Sequence, residues 1–254
     1  MKLTVFASGS GGNCLLLSGG GTNILIDAGI SARRLSERLG ECCLSLQDIG
    51  GVLITHEHSD HISGLKGLLK ACSCPIYAPR TVASRLRGML PKIDERLRVI
   101  PVGEDFPIAR LKVRAFHTPH DTPESVGYRV ECGGVFSVAT DMGCVTEEIR
   151  QNLLGSDVVL IESNHDEEML RYGPYPVMLK RRILSEHGHL SNDHCALLAR
   201  ELAESGTGTV ILGHLSRQNN TPSAALRCAQ SALEGMQTRL LCAPEFGLLE
   251  VKVE

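Results

Sequence analysis

The heptapeptide Thr-His-Glu-His-Ser-Asp-His, residues 55–61, constrains this chain more than any other stretch. It follows the apolar run Gly51-Val52-Leu53-Ile54, which reads as a buried strand. His56 and His58 are two apart and share one side of an extended segment, and Asp60 and His61 follow where the chain turns into a helix. Three imidazoles and a carboxylate so close together are costly to gather unless a metal ion holds them. Neutral imidazole with carboxylate suits Zn, Fe, Co or Mn. A fold that accommodates this stretch has to end a buried strand at a metal site.

The rest of the chain supplies further strands and the helices to cover them. LTVFA, CLLLS, NILIDA, GVLIT, PIYAP, LRVIPVG and ARLKVRAFHT read as strands, and VGYRVECGGVFSVATD as a hairpin turning on Gly133 and Gly134. DVVLIES, GTVILGHLS and RLLCAP are the later strands. SARRLSERL and SNDHCALLARELAES read as helices capped by Ser31 and Ser191. HISGLKGLLKA, 81–89, 145–154 and 221–234 are also helical, and 165–184 is a helix broken by GPYP. No linker, low-complexity tract or tandem repeat divides the 254 residues, so 1–254 is expected to be a single α/β domain of two sheets with helices on the outer faces.

Composition excludes several classes. Aromatics are 4% with no tryptophan, so the core is aliphatic, and a net charge of −3 gives no global basic footprint. No apolar run approaches the roughly 18 residues of a membrane helix, and the N-terminal apolar stretch breaks at glycine. A cytoplasmic protein without a membrane partner is expected. The ten cysteines form no CxxC; Cys42 and Cys43 are adjacent, Cys72 and Cys74 one apart, and free thiols are the expectation.

Residues 8–14, SGSGGNC, could be read as a phosphate-cradling loop or as a tight turn. Glycines at 9, 11 and 12 match neither GxGxxG nor a Walker pattern, and a strand rather than a helix follows. A hairpin turn is the surviving reading.

HxHxDH after a buried strand resembles the first metal motif of the metallo-β-lactamase-fold hydrolases. Matches to the family's other motifs follow in order: Asp27 in ILIDAG, a histidine in FHTPHD, Asp141 in VATDMG and His214 in ILGHLS. The resemblance covers nearly the whole chain and implies an αβ/βα four-layer sandwich with a metal pair at the edge of its two sheets. It implies that His56, His58 and His120 hold one divalent ion, Asp60, His61 and His214 a second, and that Asp141 bridges them. Asp27 would support the site. His117 remains an alternative to His120. Two ions, Zn, Mn or Fe, would activate a shared water as hydroxide, with Asp60 orienting it.

The later motifs bear on substrate. LIESNH, GHLSN and GHLS are similar in spacing to the ribonuclease Z group, which implies that Glu162 orients His189 as general acid. The SGSxGNC start, HxHxDH, GHLSN and GHLSxxNN together resemble the YycJ/WalJ-type branch. That resemblance implies phosphodiester hydrolysis on DNA as a 5′-to-3′ exonuclease, and it implies that the 8–14 hairpin sits at the rim near the metal pair, where its amides, with Ser10 and Asn13, are expected to border the substrate. Ser191, Asn192 and Asn220, polar groups beside the histidine motifs, are also expected as substrate contacts. Arg80, Arg85, Arg87, Lys92, Arg96 and Arg98 form one basic run, and Lys180, Arg181 and Arg182 another; each is either a phosphate track or a solvated face. A thioesterase or lactonase acting on a small molecule is the competing enzyme, and a metal-stabilised scaffold the non-enzymatic alternative. Oligomeric state is open, a homodimer included.

Overall fold

The structure, a computed structural model, describes residues 1–90 and 92–253. Strands β1 (Lys2–Ala7), β2 (Cys14–Gly19) and β3 (Thr22–Ile26) form an antiparallel ladder. Helix α1 (Ala32–Glu41) leads to β4 (Ile49–Leu53), which adds parallel to β3. Helices α2 (Ser59–Ile62), α3 (Leu65–Ala71) and α4 (Arg80–Met89) connect onward to β5 (Ile76–Ala78) and β6 (Leu97–Val99), both parallel.

The second half has the same layout. Strands β7 (Asp105–Ile108), β8 (Leu111–His117), β9 (Val126–Glu131) and β10 (Val135–Ala139) pair antiparallel. Then come α5 (Glu147–Leu153), β11 (Val158–Glu162), α6 (Glu167–Tyr172), α7 (Val177–Ile183) and α8 (Asn192–Glu204). Strand β12 (Thr209–Gly213), α9 (Pro222–Ala232) and β13 (Arg239–Cys242) complete a parallel edge. The last strand, β14 (Phe246–Lys252), returns to pair with β1. The sheet orders are β14-β1-β2-β3-β4-β5-β6 and β13-β12-β11-β10-β9-β8-β7. Each sheet therefore has three antiparallel pairings followed by three parallel ones, a duplication of layout that no sequence repeat announces.

Strand periodicity divides the core. On β1 and β2, Leu3, Val5, Leu15 and Leu17 point between the sheets, with Val113, Tyr128 and Phe136 opposite. Phe6, Leu16 and Leu25 point the other way, onto α1, α3 and α4. Val159, Ile161, Val210 and Leu212 pack outward onto α5, α8 and α9. The expected αβ/βα four-layer sandwich is the fold, and Ser31 and Ser191 cap α1 and α8 as read from sequence.

Three elements differ from the sequence reading. HISGLKGLLKA is two helices, because the Gly64 N–H donates to Ala28 O at 2.8 Å and the chain bends there. Strand β7 contains Pro107 and β14 is half exposed, so neither carries a strong apolar signal; both lie at sheet edges, where proline is tolerated. The 8–13 loop is a turn, as read from sequence, and it braces α2. Asn13 N–H donates to Asp60 O at 2.7 Å and Gly29 N–H to Asn13 O at 2.8 Å. A Cβ at Gly29 would lie 1.6 Å from Asp60 O, and Gly12 takes φ +148 with Gly29 O 2.6 Å from a Cβ position, so only glycine permits this approach.

Candidate metal centre

Most of the candidate ligands leave the C-terminal ends of strands in the parallel half of each sheet, while His120 follows β8 in the antiparallel half. Asp27 follows β3, residues 55–61 follow β4, Asp141 follows β10 and His214 follows β12, while Glu162 ends β11. Asp27, Asp141 and His214 have φ of +61, +57 and +54, a left-handed conformation that costs a non-glycine residue about 1–2 kcal/mol. Local bonds hold it. Thr55 N–H donates to Asp27 Oδ1 at 2.9 Å, His214 N–H to Ser8 Oγ at 2.9 Å, and Asn164 Nδ2 to His214 O at 3.0 Å.

Each imidazole is oriented by its other nitrogen. His61 Nδ1 donates to Asp27 Oδ2 at 2.7 Å, His214 Nδ1 to Glu162 Oε1 at 3.0 Å and His120 Nδ1 to Gly188 O at 3.2 Å. His56 Nδ1 is 3.0 Å from Thr55 Oγ1. These four therefore present Nε2 to a common space, a tautomer pattern typical of metal-ligating histidine. His58 is reversed: its Nδ1 is 3.3 Å from His120 Nε2, while its Nε2 is 3.7 Å from Asp121 Oδ1. Asp141 is central, with His61 Nε2 at 3.2 Å, His214 Nε2 at 3.5 Å and His120 Nε2 at 3.8 Å. Asp60 Oδ2 lies 3.4 Å from His61 Nε2 and 3.5 Å from His214 Nε2.

Charge in this cluster is strongly perturbed. Burial would lower His61 and His214, yet Asp141 with Asp27 holds His61 well above its ordinary value, and Asp141 with Asp60 and Glu162 raises His214 to about 10. Burial, with His61 adding to it, pushes His56 well below. Burial would raise Asp60 and Asp141, but the surrounding imidazoles hold both well below the carboxylate range. Such a set of anions with lone pairs turned inward suits a cation. His56 Nε2, His214 Nε2 and Asp141 Oδ2 are buried and lack any hydrogen-bond partner, a costly state that a metal ion removes. The donor atoms of His56, His58 and His120 lie within 4.8 Å of one another, as do those of Asp60, His61 and His214. The residues present therefore fit divalent metal.

Beside the cluster, His189 Nδ1 donates to Glu162 Oε1 at 2.7 Å. Glu162 is fully buried; its Oε2 accepts from Met142 N–H at 2.8 Å and Leu190 N–H at 3.3 Å. Burial would raise this carboxyl, but His189 first and His214 next hold it at about 2. Burial opposes protonation of His189, and Glu162 outweighs it, so the imidazole is raised above its ordinary value.

The remaining sequence expectations divide. His117 is more than half exposed and lies 3.4 Å from Glu148, so His120 is the histidine that reaches the cluster. Ser10 lines a cavity with Asn164, Tyr175, Arg182, His189 and His214. Asn13, expected beside the substrate, has its Nδ2 3.0 Å from His61 Nε2 and 3.3 Å from Asp60 Oδ2, so it touches the candidate ligands themselves. Ser191, Asn192 and Asn220, expected as substrate contacts, are buried and bonded internally. Ser191 Oγ caps α8, and the two amides bond each other at 2.8 and 3.0 Å while tying down Ser163.

Sequence reading passed over Asp121 and its partner. Asp121 Oδ1 is 3.2 Å from His120 Nε2, and its other oxygen accepts from Arg182. Adjacency to His120 in FHTPHD was the available signal. Of the basic runs, Arg182 lines the cavity with His189, and Arg85 lines a neighbouring cleft with His58 and Asp121, pairing with buried Glu57 at 3.4 Å. Arg87 is turned to Asp94 and Arg96 to the carbonyl of Cys72.

Asp27 offers a test of the supporting layer. Asp27→Ala removes the acceptor that orients His61, and metal affinity is expected to fall about 10–100-fold. Competition against a chromophoric chelator measures it; unchanged affinity would remove Asp27 from the site's support.

A sandwich of this kind with a buried His/Asp cluster at the strand ends defines a metal-dependent hydrolase of the metallo-β-lactamase fold. The chain belongs to that superfamily, its residues 22–215 matching the family described as Beta-lactamase superfamily domain. It is similar to Exodeoxyribonuclease YycJ of Bacillus anthracis, 33% identical over 237 residues that cover 92% of this chain and 89% of that protein. Exodeoxyribonuclease WalJ of Streptococcus pneumoniae is 34% identical over 228 residues, covering 88% and 85%. In fold, it is like the metallo-β-lactamase fold protein YhfI from Bacillus subtilis, with a TM-score of 0.74 at 16% identity over 98% of this chain and 99% of that one. Among the described residues no helix is long and apolar enough to cross a membrane.

Proposed function

We propose that this chain hydrolyses phosphodiester bonds of nucleic acid with two divalent ions, drawn from Zn, Mn or Fe, and acts on DNA as a 5′-to-3′ exonuclease. The observation that carries the reading is the Glu162–His189 pair beside the ligand cluster. An alkoxide leaving oxygen needs a proton and a thiolate does not, so a positioned acid argues for an ester of an ordinary alcohol. Relatives named as exodeoxyribonucleases, matched over 85% or more of their length, support DNA. With all ten cysteines free, the chain fits a reducing cytoplasm.

The charge balance supports divalent ions. Glu57 and Asp121, at the rim, are each answered by an arginine. The four inner carboxylates, Asp27, Asp60, Asp141 and Glu162, face imidazoles, hydroxyl, amide and backbone N–H groups instead. Divalent cations offset the charge that these neutral partners leave uncompensated.

His56, His58 and His120 would hold one ion, Asp60, His61 and His214 the other, and Asp141 would touch both. Ions so held lower the pKa of water toward neutrality and offset charge on the phosphoryl oxygens. The protein's own residues do the rest. Asp60 accepts a hydrogen bond from the attacking water and sets its direction. Glu162 Oε1 fixes His189 Nδ1–H, so the proton at Nε2 is held toward the cavity, where the leaving oxygen takes it. Arg182 and Ser10 border that cavity and bind the phosphate backbone.

Arg182→Ala is expected to weaken DNA binding and to reduce the slope of log affinity against log salt by about one. A titration at several salt concentrations reads it; an unchanged slope would take Arg182 off the phosphate path. For the reaction itself, duplexes labelled at either end discriminate. With Mn²⁺, 5′ label should appear as mononucleotide from the first time point and 3′ label only late. The reverse order would overturn the polarity. A small-molecule thioester cleaved at full rate by His189→Ala, with DNA untouched by the native protein, would favour the thioesterase instead.

A further inference from the structure

Cys72 follows α3 and Cys74 precedes β5, at the amino-terminal end of the β4–β5 pair. The metal centre lies at the opposite end of these strands. Cys72 is extended, with φ −142 and ψ 171, and residues two apart in an extended segment turn their side chains the same way. The two Sγ atoms are 3.3 Å apart and share a hydrogen bond. Both cysteines are buried, yet they border a surface cleft with Gln47, Lys70 and Arg96 through which a small reagent reaches them.

The surroundings favour thiolate on one sulfur and a proton on the other. The S–H of Cys74 acts most strongly on Cys72. Burial opposes it, but the Cys74 backbone N–H and the Arg96 charge act with it, and the thiol is held down to about 6. That hydrogen bond, together with burial, pushes Cys74 far up. Cys14 and Cys195, by contrast, are fully buried thiols pushed up by burial, and are inert.

We infer that Cys72 and Cys74 form a redox-active dithiol that hydrogen peroxide closes to a disulfide and a thiol reductant reopens. The Cys72 thiolate attacks a peroxide oxygen, so an S–O bond forms, the O–O bond breaks and the departing hydroxide takes a proton to become water. The Cys74 sulfur then attacks the sulfenic sulfur; the S–S bond forms, the S–O bond breaks, and a second water leaves with the Cys74 proton. Two thiols lose two electrons and the peroxide is reduced to two waters. The sulfurs must close to about 2.05 Å. Ser73 between them lies outside helix and strand, so side-chain rotation at both cysteines and adjustment at Ser73 can supply the approach. A soft metal ion is the weaker occupant. No group of three candidate metal-holding side chains among the described residues includes either cysteine, and the Arg96 cation repels one.

Trypsin releases residues 71–80 as one fragment, ACSCPIYAPR, which carries both cysteines and no other. The native protein is treated with hydrogen peroxide, alkylated, digested and weighed. The expected fragment is lighter by two hydrogens, unalkylated, and recovered in alkylated form after dithiothreitol. In Cys74→Ser, Cys72 should instead accumulate as sulfenic acid trapped by dimedone. In the reduced native protein Cys72, its thiol held down by Cys74 and Arg96, should alkylate at neutral pH about tenfold faster than exposed Cys43. A fragment still alkylated at both positions after peroxide has consumed Cys43 would overturn the inference, as would Cys72 reacting no faster than Cys43.

Discussion

Replacing Asp141 with asparagine is expected to lower kcat at least about 10³-fold and to leave a protein that loses its metal on desalting, since a charge stabilisation of several kcal/mol disappears at about 1.4 kcal/mol per tenfold. Asparagine is the informative change. It tolerates the left-handed backbone found at this position, φ +57, so shape is kept while charge is removed. Asp141 is almost fully buried, within 3.2–3.8 Å of His61, His214 and His120. Its charge also acts on His56. Metal analysis with steady-state kinetics on the same preparation decides the matter. A variant that keeps its metal and its rate would show that the carboxylate is not central.

The second large effect belongs to His189. His189→Ala should slow hydrolysis of DNA by about 10²–10⁴-fold, the contribution of a positioned proton donor, with metal content unchanged. The metal should stay because the hydrogen bond of His189 goes to Glu162, and Glu162 keeps its bonds to His214 Nδ1 and to the Met142 and Leu190 amides. A nitrophenyl phosphodiester, whose leaving group needs no proton, should be cleaved by the variant at nearly the native rate. Equal losses on both substrates would mean that His189 holds structure or binds substrate, and does not deliver a proton. Glu162→Gln should be the harsher change, because one carboxylate orients both His189 and His214.

The heptapeptide at 55–61 was legible because its chemistry is dense along the chain: strand, ligands and helix start are contiguous. Asp141 and His214 were legible for a related reason, each ending an apolar strand in a short motif. What stayed hidden depends on the third dimension. His58 presents Nδ1 where its neighbours present Nε2, and only the placement of Asp121 beside its Nε2 reveals this. Asn192 and Asn220 read as substrate contacts because they are amides in histidine-bearing motifs. The fold pairs them with each other across two loops, and spacing alone cannot signal that. The basic run at 80–98 reads as one patch, yet alternation of helix, loop and strand sends Arg85 to the cleft and Arg96 to the far end of the sheet. Edge strands β7 and β14 were invisible because a strand that buries little leaves little periodicity.

The central claim, metal-dependent phosphodiester hydrolysis at this cluster, meets its most direct test in protein stripped by chelator and reloaded with Mn²⁺ or Zn²⁺ while bound metal and nucleotide release from end-labelled DNA are followed together. The account predicts no release from stripped protein, and release that rises as metal is bound and is complete at two ions per chain. Protein that holds two ions and frees no nucleotide with any divalent metal, or stripped protein that cleaves as fast as loaded protein, would contradict it.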